Sequence, residues 1–110
     1  MIAPIPPLQQ FKPGDLVKHK RYGYRGVIVE CDPQCLASDA WYQKNQTQPP
    51  REQPWYHVLV DSQALSTYAA QSSLAEDDVL LPIAHPLVDV FFAEFTGAGY
   101  VRNTVPWNGQ

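Results

Sequence analysis

Apolar and polar positions alternate in short runs over most of this chain, the two-residue period of half-buried strands. Leu16 to Lys20 and Arg25 to Glu30 are the first two such runs, and Arg21–Tyr24, with Gly23, connects them as a hairpin. In the second run Val27, Val29 and Cys31 are expected on one face, and Gly26 predicts a sharp bend or bulge. Trp55 to Val60 is the strongest strand. Tyr56, Val58 and Val60 face one side of it and Trp55, His57 and Leu59 the other, so bulk on both faces predicts cover on both. Leu65 to Ala70 returns from a turn at Asp61–Ala64, and Asp78 to Leu81 is expected as a closing strand after a tight turn at Ser72–Leu74.

The period changes twice. Ser38 to Asn45 predicts a short helix with Ser38 as N-cap and Asp39 in its first turn. Beyond Pro86, which suits a first helical position, Leu87, Val88, Phe91, Phe92 and Phe95 lie on one stripe at helical spacing, and Gly97 suits a C-cap. These residues predict a C-terminal amphipathic helix. The pattern therefore describes a mainly β fold, a small twisted barrel of about five strands with a short loop helix and a C-terminal helix. Residues 1–10 form a proline-rich flexible arm, 11–82 the barrel, and 83–110 the helix and tail packing on it.

A chain of 110 residues makes one domain with a modest core. No stretch approaches the roughly 20 apolar residues of a membrane span. Met1–Gln10 has neither a basic n-region nor an apolar h-region, so a cytoplasmic protein without a secretory signal is expected. The net charge is −3, but it is unevenly spread. Lys12, Lys18, Lys20, Arg21 and Arg25 crowd the segment from Phe11 to Glu30, against Asp15 and Glu30. Glu76, Asp77, Asp78, Asp89 and Glu94 occupy Leu74–Tyr100 without a Lys or Arg. The local field, more than the total, then selects partners.

Lys18, Lys20, Arg21 and Arg25, with His19 and Tyr24 interleaved, form a candidate phosphate-contacting hairpin. Tyr22 and Tyr24 are candidates to line an apolar pocket beside it. Trp55 and His57 are candidates for a stacking platform or protein contact, unless the C-terminal helix covers them. Cys31 and Cys35 are free thiols in a reducing compartment, Cys31 inward and Cys35 in a loop. With His19, His57 and His85 scattered, they offer no four-ligand metal set, and no cofactor is expected. Glu76, Asp77 and Asp78 are read as a solvated acidic rim. No catalytic constellation appears, so the chain is read as a binding module and not an enzyme.

Gly14, Val17, His19, Gly23, Tyr24, Gly26 and Val27, then Asp32 and Pro33, give the first half of a recognisable pattern. Pro54, Trp55, Tyr56, His57, Val58 and Asp61, with Thr67, Tyr68, Ala70 and Leu74, give the second. Together they resemble the hemimethylated-DNA-binding (YccV-like) domain family, whose bacterial members include a heat-shock protein, HspQ. The resemblance implies an SH3-like barrel without enzymatic activity that binds DNA, hemimethylated DNA in the family's description. It also implies an alternative, a protein-binding adaptor or modulator of an ATP-dependent protease of Lon or Clp type and its clients. In that alternative Trp41, Tyr42, Trp55 and His57, or the Phe-rich helix, make the contacts. An uncovered Phe stripe would further favour a homo-oligomer.

Overall fold

In the computed structural model, which describes residues 7–109, the chain folds on a five-stranded antiparallel sheet. The strands are β1 (Leu16–His19), β2 (Arg25–Asp32), β3 (Trp55–Val60), β4 (Ser66–Ala70) and β5 (Leu74–Glu76), in the order β4-β3-β2-β1-β5. A single 3₁₀ turn, Gln71–Ser73, joins the two edge strands, and the sheet is not closed between them. Helix α1 (Asp39–Lys44) lies in the β2–β3 connection, and the Ser38 hydroxyl accepts from the Trp41 N–H at 3.1 Å, the N-cap read from the sequence.

The sheet buries both faces. On one, Val17, Ile28, Tyr56 and Val58 pack with Phe11, Ala69 and Leu74. On the other, Leu16, Val27, Val29 and Leu59 pack under Ile83, Val88, Phe91 and Phe92. The cover is not the expected C-terminal helix. Helix α2 is one turn, Val88–Phe91, and the chain then becomes a hairpin of β6 (Phe92–Phe95) and β7 (Tyr100–Arg102). Its register slips between Phe92 and Glu94, so Phe92 and Phe95, three residues apart, reach the same core. A bulge has imitated helical spacing. The hairpin docks through Gly14, whose carbonyl accepts from the Tyr100 N–H at 2.8 Å. Gly14 has φ +100°, and a Cβ there would overlap the Tyr100 carbonyl oxygen.

Three further expectations are corrected. The bulge in β2 lies at Val29, not Gly26, and it turns Cys31 away from Val27 and Val29 toward the Phe11 side. Gly26 is required instead because a Cβ would meet Val58 and the Leu59 carbonyl. The closing strand is Leu74–Glu76, while residues 78–81 form an exposed loop with Leu80 at φ 57°. Of the proline-rich arm, residues 1–6 lie outside the described residues. Gln10 and Leu8 are tied to the Gln71 side chain, at 2.8 and 2.9 Å.

Candidate nucleic-acid interface

The β1–β2 hairpin is held open by its own histidine. His19 is buried, and its Nδ1 accepts from the N–H groups of Arg21 and Tyr22, both at 3.1 Å. Those bonds assign the neutral ring with its proton on Nε2. The ring stacks on Tyr22 (centroids 4.7 Å apart) and lies against Tyr24 (5.1 Å), whose hydroxyl is bonded to Thr67. Burial, then the charge of Arg21, lowers the His19 pKa below its ordinary value. The unfolded chain therefore takes up the proton first. The stability His19 contributes is complete above about pH 6.5 and is lost as pH falls through its lowered folded value. NMR titration should place its midpoint below about 6.5, with the Arg21 and Tyr22 amides losing exchange protection in step. A midpoint at or above that value would mean the ring is not the hairpin's acceptor.

This clamp leaves the hairpin's cations outside. Lys18, Lys20 and Arg21 are exposed, and among the described residues none has an acidic partner. Most other cations are committed: Lys12 to Asp15, Arg51 to Asp39, and Arg102 to the Val29 and Asn103 carbonyls. Arg25 belongs with these and not with the contact surface. Its guanidinium bonds to Asp77 at 2.9 Å, Asp61 at 3.2 Å and the Leu81 carbonyl at 2.7 Å. Asp77 is correspondingly buried, whereas Glu76 and Asp78 are exposed, so the acidic rim holds for only two of its three residues. Period-two reading put Arg25 beside Lys18 but could not show the acid that Arg25 meets 52 residues later.

The expected protein-contact residues separate too. Trp55 is buried under Trp41 and Tyr42 of α1, so it is core and not a free platform. Trp41 and Tyr42 remain half-buried at the surface. His57 is held between Tyr68 (4.5 Å) and Trp107 (5.6 Å), with Nε2 3.2 Å from Asp32. Tyr68 donates to the same carboxylate at 2.6 Å; burial and that bond raise its pKa. Phe91 and Phe92 are buried and form no exposed stripe. Both cysteines are free, and burial with Glu30, Asp15 and Asp32 nearby pushes the Cys31 thiol up to about 12, where it is a poor nucleophile. Among the described residues no cluster of His, Cys, Asp or Glu could hold a metal ion, and no helix is long and apolar enough to cross a membrane.

Beside the hairpin runs a groove of about 660 Å³. His19, Tyr22 and Tyr24 line one part of it, Trp41 and Tyr68 another, and β4 runs between them. Sequence reading had Tyr22 and Tyr24 as pocket candidates but missed Thr67, Tyr68 and Asp32 as parts of one site. The alternation through 66–70 carried the signal, since it sends Thr67 and Tyr68 to opposite faces.

An open β-sheet with a preorganised basic hairpin at one end and an aromatic groove alongside defines a recognition module. The pattern of the family described as "Hemimethylated DNA-binding protein YccV like" matches residues 9–99, and the chain belongs to that family. Among curated proteins it is similar to F-box only protein 21 of Pongo abelii, Homo sapiens and Mus musculus, each 41% identical over 93 residues. That similarity covers 82% of this chain but spans only 15% of each relative's length. Those relatives are much larger proteins.

Proposed function

We propose that this chain is a non-catalytic DNA-binding module that holds duplex phosphates on Lys18, Lys20 and Arg21. Family membership supports DNA as the partner. The observation that carries the reading is the distribution of unpaired cations: in a chain of net charge −3, three exposed cations without acidic partners among the described residues sit on one rigid hairpin. A locked hairpin loses little conformational freedom on binding, so its charges act at low entropic cost. Tyr22 and Tyr24 beside this rim offer an apolar surface for a base methyl group, which supports preference for a hemimethylated duplex as the finer part of the proposal. The strand order, with a 3₁₀ turn between β4 and β5, supports an SH3-like description of the scaffold.

Fluorescence anisotropy with a labelled duplex, hemimethylated or unmethylated, tests this across a salt series. Three phosphate contacts give a log–log slope of about −3, and Lys20→Glu with Arg21→Glu lowers affinity by about a hundredfold or more. Binding that survives the double reversal, or no binding at low salt, would sink the proposal. Equal affinity for the two duplexes would remove only its methylation part.

A further inference from the structure

Strand β4 is an edge, paired among the described residues with β3 alone. The Val60 N–H donates to the Leu65 carbonyl and the Gln71 N–H to the Pro54 carbonyl, at 3.0 and 2.9 Å. These bonds set the phase of the ladder, so the main-chain groups of Ser66, Tyr68 and Ala70 point away from β3. Ala70 is buried in the cluster of Cys35, Trp55 and Trp41, and Ser66 has a partner of its own. At Tyr68, itself a lining residue of the groove, N–H and C=O have no partner among the described residues.

The groove's two walls lie on opposite faces of this edge. Thr67 turns toward the hairpin wall, where its hydroxyl meets Tyr24 at 2.7 Å. Tyr68 turns toward the α1 wall, where its ring meets Trp41 edge-on at 5.6 Å. The hairpin wall is formed by His19, Tyr22 and Tyr24, and the exposed cations Lys20 and Arg21 lie between His19 and Tyr22 in the chain; the other wall is apolar, with Leu36 63% exposed beside Trp41 and Pro49. One end of the groove already receives polypeptide: Trp107 lies on His57, and Gly109 lines the groove.

We propose that β4 accepts an added strand from a protein partner, an extended segment alternating acidic and apolar residues and centred on Tyr68. A strand laid on an edge exchanges N–H···O bonds with outward-facing residues and sends alternate side chains to opposite faces. Its acidic residues then meet Lys20 and Arg21, and its apolar residues meet Leu36 and Trp41. Unpaired edges invite such pairing, and the flanks, partnered at Ser66 and buried at Ala70, confine it to one register.

The test uses isotope-labelled protein and the capped peptide Glu-Val-Glu-Val-Glu-Val. Binding should slow hydrogen exchange at the Tyr68 amide and shift the resonances of Leu36, Trp41 and Tyr22. Of two peptides N-methylated at adjacent central residues, one should bind about tenfold more weakly and the other like the parent, because only alternate N–H groups face β4. Leu36→Glu, at an exposed site that leaves the fold intact, should weaken the parent peptide. Equal binding by both N-methylated peptides, or no protection at Tyr68, would overturn the proposal. So would an oligothymidylate strand that protects Tyr68 when the peptide does not, since the groove would then belong to nucleic acid.

Discussion

Arg25→Met should destabilise the protein by about 3–5 kcal/mol, the cost of leaving a buried acid without its counter-charge. The Arg25 side chain is 15% exposed and that of Asp77 0%, so water replaces little of the lost pairing. Burial alone would raise the Asp77 pKa, but the Arg25 hydrogen bonds and the Leu80 and Val79 N–H groups outweigh it and hold the carboxyl below its ordinary value. A lowered folded pKa means that this stabilisation is complete above about pH 4 and is lost as pH falls through the folded value. Urea denaturation should therefore find the wild type losing stability on acidification more steeply than Arg25→Met. A loss under about 1 kcal/mol at neutral pH would show that the network contributes no more than an exposed pair. The variant also separates two roles that one basic segment suggests. Arg25→Met should leave DNA affinity of the folded fraction nearly unchanged, while Lys20→Glu with Arg21→Glu should leave the denaturation midpoint in place.

The ladder of β1 to β4 was legible because each strand there buries one or both faces, so alternation and turn residues point the same way. The α1 cap was legible for a related reason: Ser38 acts on the Trp41 N–H three residues on, within reach of local reading. What escaped was set by long-range contact. Arg25 and Asp77 are chosen for each other across 52 residues, and neither residue type nor spacing marks the pair. The β2 bulge at Val29 moves Cys31 to the other face, and nothing in Val27–Cys31 announces an inserted residue. At the C-terminus the failure was one of degeneracy. A stripe three and four residues apart fits a helix, but it also fits a strand with one residue slipped out, and Phe92 and Phe95 took the second solution. Aromatic residues with Thr96 and two nearby glycines favour a hairpin locally, which is the signal that would have decided it.

That C-terminal solution has a stability consequence larger than its length suggests. Among the described residues, Leu16, Val27, Val29 and Leu59 are covered by the segment from Ile83 to Trp107, so the sheet and this segment share one core. Phe91 sits at its centre, 1% exposed, with the Trp107 ring edge-on at 5.4 Å and the Arg102 guanidinium 5.0 Å above. Phe91→Ala should cost about 3–5 kcal/mol, the usual range for an aromatic cavity in a packed core. Phe95→Ala, at a half-buried site, should cost less than half as much. Unfolding followed by tryptophan fluorescence and by far-UV circular dichroism should stay coincident in both variants, because cover and sheet melt as one unit. Two separated transitions in Phe91→Ala would mean instead that the sheet stands without its cover. The aromatic run would then be an appended element, and the apolar face beneath it a surface that the protein can expose.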